Sequence, residues 1–315
     1  MDFITHSAFG ALMYILFLKE VTFEYFFIAI FFSFLPDLDI FLMPLKRIFK
    51  SNYLEHRAGS HSYIIGIMMS AIINVIYSVL TQKSFFIAFI IGMVFYGLHV
   101  SLDLLTTTKI PCFYPFSKKE YCFYIEKAGS SFTLLTSLIF LIILVLIYNI
   151  SPEVFLFVMV INFYTYFFLI YYFYRIFTKV LINLHLKDNQ KYFPGVLPFY
   201  FFIFEYEIDQ NGISLSIEKK SHFSKSKVIY RNKSILDSEE MALFKEGLKL
   251  CKLNYYFAKW TVLPIFFRIK GMFSIRFFFL EPMVKARAMY IHYDFSLLTH
   301  QVVSFHQGYG PIQPK

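Results

Sequence analysis

The chain has 315 residues, of which 57% are hydrophobic, 22% aromatic and only 16% charged, a balance too apolar for an ordinary soluble domain and one that makes a membrane protein the first expectation. The net charge of +9 would point to nucleic acid in a soluble protein, but in a membrane protein Lys and Arg mark cytoplasmic loops, so no nucleic-acid partner is expected. Cys112, Cys122 and Cys251 have no C-x-x-C spacing, which argues against a disulfide framework or a thiolate metal cage.

Six apolar runs approach the bilayer-crossing length of about 20 residues: residues 4–18 (the shortest), 21–43, 62–80, 85–105, 132–150 and 154–177. Asp2 stands where a secretory signal would carry basic residues, and no small-x-small cleavage site follows, so the first run is expected to be retained. Lys19 and Lys83 are the only basic residues in the first and third turns, and the fifth turn has none. The second loop carries Lys46, Arg47, Lys50 and Arg57, and the fourth carries Lys109, Lys118, Lys119 and Lys127. By the positive-inside rule both termini are then cytoplasmic, giving an integral protein of the inner or plasma membrane. The fold class expected is a mainly α, polytopic helical bundle of about six spans (residues 1–177), a linker (178–194) and a small α+β cytoplasmic domain (195–315).

In that last part, residues 199–208 are rich in strand-favouring side chains, and the DQNG turn (209–212) leads into an alternating second strand. Asp237 with Glu240 fits a capping box opening a helix over 238–257, with Met241, Phe244, Leu248 and Cys251 at helical spacing. Residues 283–295 alternate again as a strand.

Four polar motifs interrupt the apolar part: THSAFG (5–10), LPDLD (35–39), EHRAGSHS (55–62) and LHVSLDLLTTTKIPCFYP (98–115). His99 and Asp103 are four apart and share a helix face. Pro36 disfavours a continuing helix at Leu35, and an extended backbone there would aim Asp37 and Asp39 the same way. With both termini inside, His6, Asp37, Asp39, His61, His99 and Asp103 all fall at the cytoplasmic ends of their spans, away from the bilayer centre where ionisable groups are costly. Mixed imidazole and carboxylate ligation suits a divalent ion such as zinc, manganese or iron.

This ordered set, over residues 1–130, resembles the YdjM-like family of membrane-bound metal-dependent hydrolases, also described as LexA-regulated inner-membrane hydrolases. The family pattern has an early histidine, L-P-D-x-D, H-R-G-x-T-H-S, and H-x-x-x-D-x-x-T before a proline-rich turn. Here His6, Leu35 to Asp39, His56-Arg57 with His61-Ser62, and His99, Asp103 and Thr106 before Pro111 and Pro115 supply it. Two departures bear on loop shape: the glycine sits at Gly59 with Ser60 before His61, and Lys109 stands where the family often has glycine.

The resemblance implies a hydrolase, and a more distant similarity to helical zinc phosphoesterases makes a phosphoester the first substrate to consider. In that reading Asp39 accepts the water proton, Arg57 meets developing negative charge, and His56 orients a ligand or protonates a leaving group. A site at the membrane face favours an amphiphilic small-molecule substrate, with membrane lipids as partners. The alternative is a non-enzymatic ion or proton transporter or metal sensor using the same groups. A third reading makes the C-terminal domain a partner-docking module anchored by the membrane part.

Overall fold

The computed structural model describes residues 1–17, 22–45, 56–150, 154–209, 212–253, 255–269, 271–284 and 286–312. Lys19, Lys46, Arg47, Lys50, Glu55 and the Gln210-Asn211 pair of the DQNG turn lie outside the described residues. The chain divides into two compact units, Met1–Phe177 and Thr178–Lys315.

The first unit is helical. Helix α1 (Phe3–Phe17) opens beneath Asp2, whose carboxylate accepts from the Thr5 N–H at 2.9 Å and the Thr5 hydroxyl at 2.7 Å, satisfying donors that a helix start leaves open. Helix α2 (Phe23–Phe34) runs into a 3-10 stretch, Leu35–Leu45. Then come α3 (Tyr63–Thr81), α4 (Phe85–Leu104), α5 (Ser131–Ile150) and α6 (Val154–Asn183).

Four helical segments among the described residues are long and apolar enough to cross a membrane: Phe23–Leu42, Tyr63–Thr81, Phe85–Leu104 and Leu156–Asn183. Among the described residues the expectation of six spans is therefore not supported, four segments being candidates. The apolar helices Phe3–Phe17 and Ser131–Ile147 fall below that length. Fifteen residues at about 1.5 Å each reach roughly 22 Å, short of a hydrocarbon core of about 30 Å. Both helices nonetheless supply the interior. Ala8, Phe9 and Leu12 of α1, Leu102 of α4, Phe140 and Leu144 of α5, and Ile161, Tyr164 and Phe168 of α6 form one buried cluster. A second joins Tyr14 of α1, Ala29 and Phe32 of α2, and Ile91, Phe95, Tyr96 and Val100 of α4.

In lipid there is little hydrophobic drive between helices, so close backbone approach through small residues matters more. A Cβ added at Gly10 of α1 would overlap Ser33 Oγ of α2, and the Ser33 carbonyl is the acceptor that holds His99 at 2.7 Å. Gly10→Val is therefore expected to destabilise the unit by about 1–3 kcal/mol through overpacking. Its check is thermal unfolding in detergent beside Gly97→Ala, where the nearest neighbours of an added Cβ stand at ordinary contact, 3.8 and 3.9 Å.

The second unit is built on two antiparallel meanders. One has the order β1 (Gln190–Pro194), β2 (Tyr200–Asp209), β3 (Gly212–Ser221), β4 (Lys227–Ile235); the other has β5 (Val262–Ile269), β6 (Met272–Phe279), β7 (Arg287–Ser296), β8 (Val302–Pro311). Residues 178–194, expected to be a linker, carry the end of α6 and the first strand. Helix α7 (Ser238–Cys251) begins with the expected capping box at Asp237 and Glu240 and packs on β6 and β7. It is shorter than expected, with a separate turn α8 (Tyr255–Lys259) following. Its buried face is Glu240, Leu243, Phe244, Gly247 and Cys251. Glu240 can lie there because Arg268 of β5 grips both carboxylate oxygens, at 2.5 and 2.6 Å.

Candidate metal centre

The helix ends bring four of the six candidate ligands, Asp37, His61, His99 and Asp103, onto one point. His61 precedes α3, whose N-cap Ser62 accepts from the Ile64 N–H at 3.2 Å and donates to the Tyr114 carbonyl at 2.5 Å. His99 and Asp103 project from the last turns of α4, and Asp37 comes from the 3-10 stretch after α2. One ligand atom from each of Asp37, His61, His99 and Asp103 lies within 4.8 Å of every other. His61 Nε2 is 3.2 Å from His99 Nε2, 3.2 Å from Asp103 Oδ2 and 3.5 Å from Asp37 Oδ1. His99 Nε2 is 3.7 Å from that Asp37 oxygen and 3.9 Å from Asp103 Oδ2.

These groups fit a divalent cation. His99 Nδ1–H donates to the Ser33 carbonyl, and His61 Nδ1 faces Asp39 Oδ2 at 3.3 Å. Each ring's outer nitrogen is thus held by an oxygen, which turns the Nε2 lone pair inward, as second-layer partners of metal-bound histidines do. Asp37 Oδ1 and Asp103 Oδ2 are buried and have no hydrogen-bond partner among the described residues. Asp103 Oδ2 has the Arg57 guanidinium 3.3 Å away, whereas Asp37 Oδ1 faces the imidazoles of His61 and His99, a costly state unless a cation meets it. Ions with bonds of about 2.0–2.2 Å space tetrahedral ligand atoms at roughly 3.3–3.6 Å, close to the separations found here.

The two aspartates of LPDLD do not point the same way. The backbone is a 3-10 helix and not an extended segment, and residues two apart on three residues per turn differ by about 240°. Asp37 therefore reaches His61 from the Nε2 side and Asp39 from the Nδ1 side. Asp39 also meets His56 Nδ1 at 2.6 Å, accepts the Arg57 N–H at 3.0 Å and accepts the Ser60 hydroxyl. Asp39 is accordingly outside the group of four and behind one of its histidines.

His6 stands beside the centre, stacked on His99 with ring centroids 3.6 Å apart and its Nε2 3.4 Å from Asp103 Oδ1. Arg57, in the left-handed region at φ 59°, sends Nε to within 3.3 Å of Asp103 Oδ2 and donates to Thr108 Oγ1 at 3.2 Å and to the Met1 carbonyl. The Met1 amino group also contacts Asp103.

One cluster was not anticipated. Arg175, within the candidate span Leu156–Asn183, is buried and donates to Glu126 at 3.1 Å from Nε and 2.7 Å from the terminal nitrogen. Tyr171 donates to the same carboxylate. The Glu126 N–H donates in turn to the Leu105 carbonyl at 2.9 Å, two residues beyond Asp103. An arginine inside an apolar run was the available signal, since such a charge almost always has a partner.

Buried imidazole and carboxylate groups converging at the ends of membrane-crossing helices define a membrane-embedded helical protein with a candidate metal centre. The family model described as YdjM inner membrane protein matches residues 1–177, and the chain belongs to that family. No curated protein and no solved structure matches the chain. The second unit lies outside the matched residues.

Proposed function

We propose that this protein is a membrane-bound, metal-dependent hydrolase acting on a phosphoester of an amphiphilic small molecule at the cytoplasmic membrane face. The observation that carries the proposal is the donor set itself: two inward Nε2 atoms and two buried carboxylate oxygens, of Asp37, His61, His99 and Asp103, within 4.8 Å of one another. His6, 3.4 Å from Asp103, would complete or buttress the set. A divalent ion bound there supplies Lewis acidity and acidifies water at the site.

The chain's own groups then divide the remaining work. Asp39 fixes the His61 tautomer and shares a proton with His56, whose side chain is 29% exposed and open to solvent. His56 delivers the proton on its Nε2 to the leaving oxygen, while its Nδ1 stays on the Asp39 carboxylate, which holds the ring in place. Arg57 holds Asp103 in register and adds positive charge where an anionic substrate would sit. The basic segment after α4, with Lys109, Lys118, Lys119 and Lys127, supports placing this end of the helices in the cytoplasm, and both termini follow it there if α1 and α5 cross beside the four longer helices. A reporter fused after Lys315 tests that orientation, and an extracytoplasmic signal overturns it.

The test of function is metal analysis of purified protein beside His99→Ala, together with a hydrolysis screen over phosphoesters and lipids. Loss of metal and of hydrolysis together is the expected result. Wild-type metal content in His99→Ala sinks the ligand assignment, and metal bound without hydrolysis of any substrate class assigns the protein to ion sensing or transport.

A further inference from the structure

In the first sheet of the second unit, the β1–β2 connection (195–199) and the β3–β4 connection (222–226) lie at one end. Pro194 pairs with Phe201, Tyr200 with Ser221 and Lys219 with Lys227. The His222 N–H donates to the Phe199 carbonyl at 3.4 Å, tying the two connections together. This tip presents Phe223 at 82% exposure, Phe199 at 41% and Leu197 at 37%. Large apolar side chains on adjacent loops are an unusual thing to leave in water, and mark a contact surface.

The surroundings of the tip are basic. Lys219, Lys220, Lys225 and Lys227 flank it, while residues 195–199 carry no charge. Glu218 is the nearby acid, 3.6 Å from Lys220 and 3.0 Å from Arg231. Aromatic and aliphatic side chains projecting from a ring of lysines match a bilayer interface, where apolar groups enter the headgroup boundary and ammonium groups meet anionic lipid. The sheet begins at Gln190, a few residues after the candidate membrane span ends at Asn183. A bilayer is therefore always at high effective concentration near this unit.

We propose that the tip is a membrane-surface contact: Phe223, with Leu197 and Phe199, inserts into the interface of a bilayer whose anionic headgroups are met by Lys219, Lys220, Lys225 and Lys227. The contact is independent of the metal centre and of any hydrolysis.

The test uses the full chain in nanodiscs of phosphatidylcholine alone or mixed with phosphatidylglycerol, each with and without brominated acyl chains. The wild type, whose one tryptophan is Trp260, supplies the baseline, and Phe223→Trp adds a reporter at an exposed position. In anionic discs the added emission is expected to shift to the blue and to be quenched by bromine. Each lysine near an anionic surface is worth about fivefold in partitioning, so changing all four to Gln should abolish both effects while leaving the Trp260 baseline intact. Water-exposed emission without quenching in anionic discs overturns the proposal. So does a reporter that responds to an added single-stranded oligonucleotide and not to brominated lipid, which would make the tip a nucleic-acid surface.

Discussion

Asp103→Asn is expected to weaken metal retention at least tenfold and to destabilise the helical unit by about 3 kcal/mol, the lower end of the cost of leaving one member of a buried ion pair alone. The substitution keeps the volume and removes the charge. Asp103 is fully buried and faces His61, His99, His6 and Arg57 at once, so an amide there turns donors toward nitrogens that should be ligands and leaves the Arg57 guanidinium without its carboxylate. Elemental analysis reads the first effect, and thermal unfolding in detergent with and without chelator reads the second. A ligand present at 100 times its dissociation constant stabilises by about 2.7 kcal/mol. Chelation should therefore lower wild-type stability and leave Asp103→Asn nearly unmoved. Equal metal content in the two proteins would show that Asp103 is a structural counter-ion for Arg57 and not a ligand.

The second large effect lies away from the donor atoms. Arg175→Met should cost about 3–5 kcal/mol, because it strands the Glu126 carboxylate in a buried site. Adding Glu126→Gln in the same chain removes the stranded charge and should recover most of the loss, a non-additivity that marks direct coupling. Both are read by thermal unfolding. Because Glu126 is tied through Leu105 to the end of α4, the single variant should also loosen metal retention, whereas the double variant should restore it in step with stability. A single variant as stable as wild type would remove the pair from any account of how the loop after α4 is held.

Much of this centre was legible in the sequence, for reasons of solvent. An apolar environment makes every intramembrane His, Asp or Arg conspicuous, and the i, i+4 spacing of His99 and Asp103 marked one helix face. Pro36 marked the end of α2, which stops at Phe34, but not the 3-10 path that follows. That path separates Asp37 from Asp39 and gives them different partners. Arg175 carried the same signal as the histidines, while its partner Glu126 sits in a loop with no periodicity. In the second unit, the alternation of β3 and β7 and the Asp237 cap were readable. β5 and β6 were not: VLPIFFRI and MFSIRFFF are apolar almost throughout, and β6 is buried on both faces along much of its length, so period-two patterning is absent.

Composition and spacing by themselves determined a membrane protein, the set of polar groups available for a metal, and the helix and strand starts that local hydrogen bonding specifies. They could not determine span number, because an apolar helix of fifteen residues reads alike whether it faces lipid or, as α1 does, the protein interior. Only the tertiary structure decided which atoms converge. The inward Nε2 of His99 depends on a carbonyl 66 residues away, and the position of Asp39 behind His61 depends on a backbone turn whose hand and pitch no residue count records. Local chemistry selects the candidates; packing between helices fixes distances and directions, and a metal centre is defined by those.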